Sequence, residues 1–226
     1  MNAMQEIRQG ESQTREFKFR VDSQRKIAKT LVAFANTDGG TIYIGVKDNG
    51  VVAGVRGEEE LYMMEGAADL HTRPRVNFRA EALDVDGKVV LAIHVSKSST
   101  PPHEAHEEEG GAREWSAYFR QGAANFRANG VLMEYWRTVE VAKSLTEVDQ
   151  LVLKVLRGES GIFGSDGAAA QSSEEPKAPS GLSVSQLIKR TKLPSKTVEQ
   201  ALATLISWNA VDFEAGEKGI RFRLTE

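Results

Sequence analysis

Residues 24–55 read QRKIAKTLVAFANTDGGTIYIGVKDNGVVAGV. Ile27, Leu31, Phe34 and Ala35 recur at helical spacing, so the stretch opens as an amphipathic helix with its apolar stripe turned inward. Asn36-Thr37-Asp38-Gly39-Gly40 ends it, because these residue types tolerate left-handed backbone and let the chain reverse at little cost. Residues 41–46 are β-branched and aromatic and predict a strand. Asn49-Gly50 is a favoured hairpin centre, which would lead into a second strand at 51–55. Helix, glycine turn and hairpin are expected to form one compact unit.

Working outward, residues 15–21 alternate, with Phe17, Phe19 and Val21 on one face and Glu16, Lys18 and Arg20 on the other, which reads as a half-buried strand. The ten residues before Glu11 read as a short helix or loose lead-in. Downstream, residues 58–70 carry Leu61, Met64 and Ala68 at helical spacing and end before Pro74. Residues 76–85 and 88–95 are expected as strands joined at Asp86-Gly87, with Leu91, Ile93 and Val95 sharing the buried face. Residues 96–113 are polar, acidic and rich in Pro and Gly, and read as a long loop, a feature uncommon in compact domains and often functional. A strand at 115–120 and a helix at 130–143 complete a first domain, 1–143. Strands and helices that do not alternate strictly argue an α+β fold.

A second domain is expected over 144–226. Thr146-Glu147-Val148-Asp149 resembles a capping box, opening a helix that carries Val148, Leu151, Val152 and Val155. Residues 158–180, GESGIFGSDGAAAQSSEEPKAPS, are poor in bulky apolar side chains and predict a flexible insertion. A short helix at 183–190, a turn through Lys192-Leu193-Pro194, a longer helix at 195–207 and a terminal hairpin follow. Three helices and a hairpin resemble a winged helix-turn-helix with the helix from Ser195 in the recognition position. Trp208 and Phe213 are expected in the core.

The 226 residues leave room for one or two domains, and 27% charged with 40% hydrophobic residues is ordinary for a soluble globular protein. A net charge of -3 gives no global attraction to nucleic acid, so such a partner would need a local basic patch. The absence of cysteine excludes disulfides and thiolate zinc sites and fits a reducing compartment. No apolar run is long enough to span a membrane, and the start MNAMQEIRQGES lacks the apolar core of a signal peptide, so a cytoplasmic protein is expected. Neither a P-loop nor a G-x-G-x-x-G motif occurs, so no ATP site is expected. No nucleophilic cysteine or serine elbow is present either.

Phe34-Ala35-Asn36-Thr37-Asp38-Gly39-Gly40 followed by Ile44-Gly45-Val46-Lys47-Asp48 resembles the core motif of the Schlafen AlbA-2 domain, also called the divergent AAA-4 domain. Glu11-x4-Glu16-Phe17-Lys18 extends the resemblance upstream. Tyr118-x-Arg120-x-Gly122 and Ala128 extend it downstream, as the family's closing strand and turn. The resemblance implies nucleic-acid binding. In nuclease members, two glutamates at this spacing and an aspartate just past the glycine–strand motif form a metal-dependent ribonuclease site, and Glu11, Glu16 and Asp48 match them. Clustered carboxylates suit Mg²⁺ or Mn²⁺, and a metal-activated water can attack a phosphodiester. Ordinary roles compete. Asp before Asn-Gly favours a turn, Glu16 beside Lys18 suits an ion pair, and Glu11 sits near a helix end. Those nuclease members also carry two lobes and a cysteine-built zinc site, whereas this chain has one lobe, which a homodimer would double.

Arg15, Lys18, Arg20, Arg25, Lys26 and Lys29 crowd the first strand and helix, diluted by Glu11, Glu16 and Asp22. With Arg120 and Arg127 they would track a phosphate backbone; the bland alternative is a solvated helix face. In the second domain, Lys189, Arg190, Lys192 and Lys196 bracket the turn between the last two helices, and Arg221 and Arg223 sit in the wing, where phosphate contacts are made. His103-x2-His106 in an acidic loop is weak evidence for a metal, and His71 and His94 read as structural. The reading is a cytoplasmic DNA- or RNA-binding homodimer, a transcriptional regulator that needs no cofactor. A metal-dependent endoribonuclease is the alternative, and a protein-interaction adaptor a third.

Overall fold

The stretch quoted above forms helix, tight turn and strand in a computed structural model that describes residues 3–55, 57–109, 112–138, 144–159 and 181–225. Helix α1 (Ala3–Arg8) precedes strand β1 (Arg15–Lys18), helix α2 (Gln24–Asn36) and strand β2 (Gly40–Ile44). β1 lies parallel to β2, Arg15 opposite Thr41 and Lys18 opposite Ile44, so α2 is the crossover of a β–α–β unit. Ser23 caps α2 by accepting from the Lys26 amide. Helix α3 (Glu59–His71), β3 (Thr72–Arg73), β4 (Phe78–Val85), β5 (Lys88–Val95), β6 (Glu104–Glu109), β7 (Ala112–Gln121) and β8 (Ala124–Arg127) complete the first compact unit. One sheet runs β1-β2-β5-β4 and the other β3-β6-β7-β8. The fold is α+β, as the sequence implied.

α2 packs against strands of both sheets and against α3, which is why nearly its whole circumference from Ile27 to Asn36 is buried. Its apolar face meets Ile42, Ile44, Leu91, Ile93 and Val95 of the first sheet and Met64 and Ala68 of α3. The period-2 alternation sends Phe17, Tyr43, Val90 and Ala92 to the opposite face, where Ile7 of α1 covers them. The first sheet is therefore apolar on both sides, and α2 is held between two layers.

Several sequence expectations change. Residues 51–55 form no strand; only Val46 and Val52 bridge. β2 pairs instead with the distant β5, Gly40 opposite Val95 through Ile44 opposite Leu91, and the Ala53 and Gly54 amides both donate to the Gly45 carbonyl. A longer ladder with two buried faces outcompetes the local hairpin. β1 stops at Lys18, so Phe19 leaves the alternation and is 49% exposed, whereas Glu16 on the expected polar face is only 7% exposed because the chain's own cations cover it. The expected loop at 96–113 contains β6, paired with β3 and β7. Its acidic composition hid the strand because the partners that satisfy Glu104 and Glu107 come from β3, α2 and β7.

The second compact unit begins at Asn129. It holds α4 (Gly130–Arg137), α5 (Glu147–Leu156), α6 (Val184–Thr191), α7 (Ser195–Ser207), β9 (Val211–Gly216) and β10 (Gly219–Leu224). α4, counted by the sequence reading in a first domain ending at 143, packs on α7, and its Val131 joins a core of Val152, Leu187, Val198, Leu202, Leu205 and Phe222. Residues 139–143 and 160–180, the latter nearly all of the expected insertion, lie outside the described residues. The capping box at Thr146 forms, with Asp149 accepting from the Thr146 amide at 2.7 Å. A second box joins Ser183 to Gln186, and Lys192 ends α6 in left-handed backbone. Phe213 packs partly buried against the core, but Trp208, one residue past α7 and off its buried stripe, is 40% exposed.

Candidate functional site

The FANTDGG turn is first a structural joint. Asn36 is buried, its Nδ2 donating to the carbonyls of His103 and Tyr118 at 2.8 and 2.9 Å while its Oδ1 accepts from the His103 amide at 2.7 Å. One side chain thus ties the end of α2 to the second sheet. Thr37 Oγ1 donates to the Ala33 carbonyl and accepts from the Arg120 amide at 3.0 Å. Gly39 has φ +74°, and a Cβ there would lie 2.7 Å from the Val95 carbonyl oxygen. A Cβ on Gly40 would meet the Thr14 carbonyl at 2.7 Å. Close backbone approach, as well as left-handed φ at Gly39, requires the glycine pair.

Arg120 is corrected from a nucleic-acid contact to an internal support. Its side chain has no exposure: Nη1 reaches Glu16 Oε2 at 2.8 Å and Asn125 Oδ1 at 3.0 Å. Nε donates to the Ser12 carbonyl and Nη2 to that of Arg15, both at 2.9 Å, and the guanidinium lies 4.9 Å from the Phe34 ring centroid. Glu16 Oε1 also holds Lys18 Nζ at 2.5 Å. Glu11 Oε1 accepts from the Phe17 amide at 2.9 Å, and Asp48 is exposed. The three carboxylates therefore do not fit the metal site that the nuclease resemblance implies. Glu16 is already neutralised by two cations, and no group of three His, Cys, Asp or Glu placed to hold a metal occurs among the described residues.

The remaining cations of the first unit divide. Arg15 donates to the Gly10 carbonyl at 2.5 Å, and Arg20 pairs with Asp22 at 2.5 Å. Lys29 reaches Glu107 at 2.6 Å, with Arg127 bridging Glu107 and Glu114 at 3.8 Å. Arg25 and Lys26 stand exposed at the start of α2. Glu107 is the centre of a cluster that the sequence did not signal. It also accepts from Ser116 Oγ at 3.0 Å and from the Tyr118 hydroxyl. Burial pushes the Glu107 carboxyl up, but hydrogen bonds from Lys29, Tyr118 and Ser116 outweigh it and hold it at about 2. Burial likewise draws the Lys29 ammonium down, and Glu107 and Tyr118 together raise it.

The histidines take separate partners. His103 Nδ1 lies 2.8 Å from the Pro74 carbonyl, which only accepts, so Nδ1 carries the proton and Nε2 accepts from Ser98 Oγ at 2.8 Å. His106 instead meets His71, Nδ1 to Nδ1 at 3.3 Å. Burial first, then His106 and Arg25, lower the His71 pKa. His94 Nδ1 lies 3.0 Å from Thr41 Oγ1. His103 and His106 do not share a ligand position.

In the second unit, Lys189, Arg190 and Lys192 are exposed around the α6–α7 turn, with no ion-pair partner among the described residues. Lys196 pairs with Glu134, Arg223 lies 3.4 Å from both Asp212 and Glu214, and Arg221 donates to the Gly181 carbonyl at 3.2 Å. Among the described residues no helix is long and apolar enough to cross a membrane.

No curated protein matches the chain. Among solved structures, it is similar to the DIP2311 protein of Corynebacterium diphtheriae, with 19% identity and a TM-score of 0.44 over 63% of this chain and 33% of that one. The chain thus spans about a third of the length of that protein. It is also similar to the N-terminal domain of a Nitrosomonas europaea protein named for its relation to the ATP-dependent DNA helicase RecG, with 22% identity and a TM-score of 0.37 over 56% of this chain and 90% of that one. Residues 11–129, more than half the chain and inclusive of the Asn36 joint and the Arg120 network, match the family model described as Schlafen, AlbA_2, and the chain belongs to that family.

Proposed function

We propose that the protein binds duplex DNA as a homodimer and regulates transcription, its second unit serving as a winged helix-turn-helix. Family membership points to a nucleic-acid-related function. The carrying observation is where positive charge remains unspent. In the first unit, Lys18, Arg20, Lys29, Arg120 and Arg127 are engaged with the protein's own acids, while Arg25 and Lys26 stand exposed at the start of α2. Lys189, Arg190 and Lys192 in the second are exposed without such partners among the described residues. They lead into α7, whose Gln200 is exposed and whose Thr197 is half-buried. Cations before a recognition helix fix register on phosphates, and the polar side chains of that helix reach base edges.

The test is duplex DNA binding against salt, by wild type and by a Lys189→Gln/Arg190→Gln/Lys192→Gln variant, with the oligomeric state measured in parallel. Three phosphate contacts per protomer in a dimer give a slope of log K on log salt of roughly −5, and the variant should flatten it and weaken binding. No binding, or a variant with an unchanged slope, overturns the reading.

A further inference from the structure

A half-open cavity of about 410 Å³ lies in the first unit, between the end of α2 at Ala35, the segment from Pro74 to Asn77, and the Ser96-Lys97-Ser98-Ser99-Thr100 run after β5, with His103 also lining it. That volume is in the range of small-molecule sites. Its lining contains two cations, Arg75 and Lys97, several hydroxyls and an amide, but no carboxylate. We propose that this cavity binds a phosphate group, with Arg75 and Lys97 supplying charge and Ser99, Thr100 and Asn77 supplying hydrogen bonds.

The walls are fixed without using these groups. The Ser98 amide donates to the Ala35 carbonyl at 2.8 Å, and Ser98 Oγ accepts from the Thr100 amide at 3.0 Å while donating to His103 Nε2. His103 in turn donates from Nδ1 to the Pro74 carbonyl and is gripped through its backbone by Asn36. One chain of bonds thus joins all three walls, and the Asn36 joint anchors it. The Ser98 hydroxyl is spent in this role. Those of Ser99 and Thr100 are exposed and take no partner among the described residues. A rim held in place before the ligand arrives loses little freedom on binding.

Each cation keeps donors for a ligand beside its own carboxylate, Asp69 for Arg75 and Asp38 for Lys97. Arg75 donates from Nε to Asp69 and from Nη1 to Asn77 Oδ1, which leaves Nη2 unbonded among the described residues and the Asn77 amide free to donate. Lys97 Nζ has its nearest carboxylate, Asp38, at 3.9 Å, beyond hydrogen-bond reach. A planar fork, a mobile ammonium and two hydroxyl donors around an acid-free hollow suit a tetrahedral oxyanion. The cavity's chemistry stands apart from the proposed duplex contact; only the source of the phosphate, a strand or a free ester, rests on that reading.

The test follows the amide resonances of Lys97 to Thr100 in the full-length chain by NMR. The probes are inorganic phosphate, a short DNA strand with a 5′-phosphate and the same strand with a 5′-hydroxyl. Phosphate should shift these resonances, and Lys97→Gln and Arg75→Gln should each weaken it about tenfold. Arg79→Gln, an exposed cation on β4 outside the cavity, should titrate as wild type. A preference for the phosphorylated strand that both variants abolish assigns the site to a strand end, and equal binding of both strands, weakened by both variants, assigns it to an internal phosphate. Binding of inorganic phosphate with neither strand bound supports the cavity while the nucleic-acid reading fails. Absence of a shift with every probe, or equal weakening by Arg79→Gln, overturns the proposal whatever duplex DNA does.

Discussion

Arg120→Met keeps the length of a fully buried side chain and removes its charge. The guanidinium places four of its five N–H groups, on Glu16, Asn125 and the carbonyls of Ser12 and Arg15. The variant leaves Glu16, 9% exposed at the side chain, with Lys18 as its only cation, and strands Asn125 Oδ1, while the Ser12 and Arg15 carbonyls each keep one backbone amide donor. Orphaning a buried acceptor costs about 1–3 kcal/mol, and removing one partner of a buried pair costs about 3–5 kcal/mol, overlapping losses that together suggest about 4 kcal/mol. For a unit of this size that corresponds to roughly 10–15 °C in Tm. Urea unfolding should be followed by Trp115 fluorescence in a Trp136→Phe/Trp208→Phe background, so that only the first unit reports. Adding Glu16→Gln to Arg120→Met should recover about 2 kcal/mol, since the stranded charge is gone. A single variant within about 1 kcal/mol of wild type would refute the reasoning, and lost DNA binding at unchanged stability would return Arg120 to the interface.

Three further outcomes are expected. Glu107 has a folded pKa of about 2 against an ordinary 4.5, so its stabilisation is full above the ordinary value and is lost as pH falls through about 2. The loss should be about 2 kcal/mol after allowing for the part-exposed Lys29, and Glu107→Gln should flatten the acid limb of stability measured against pH. Gly39→Ala should cost about 2 kcal/mol or more, from positive φ plus backbone contact. Gly50→Ala, at φ +79° but with its nearest neighbour at 3.6 Å, should cost about half as much; equal losses in chemical denaturation would deny the close approach at Gly39. Incubation with transfer RNA and Mn²⁺ should give no cleavage. Cleavage abolished by Asp48→Asn, at an exposed position that spares the fold, would make the protein a nuclease.

Local chemistry was legible where it was self-contained. The stripe of α2, the Asp86-Gly87 turn and the Thr146-x-x-Asp149 box each carry their partners within a few residues, so spacing alone identifies them. Features fixed by distant partners were not. Glu16 and Arg120 each read as surface charge, because nothing in either segment shows that the two meet across 104 positions of chain. β6 read as a loop because its acids are answered by α2, β3 and β7. Residues 51–55 had strand composition but lost their partner to β5, a competition invisible to local turn propensity. Of the cavity, only the Ser-Lys-Ser-Ser-Thr run offered a signal, a lysine among hydroxyls at the end of a strand.

The bonds made by Asn36 and Thr37, and the lack of room beside the two glycines, have an evolutionary corollary. The core of the heptapeptide that most readily betrays kinship, Asn36, Thr37 and the glycine pair, is occupied in fastening the chain to itself, so it is mute about ligands. Descendants can gain or lose an activity without altering a letter of it, and divergence should be sought on the rims it anchors.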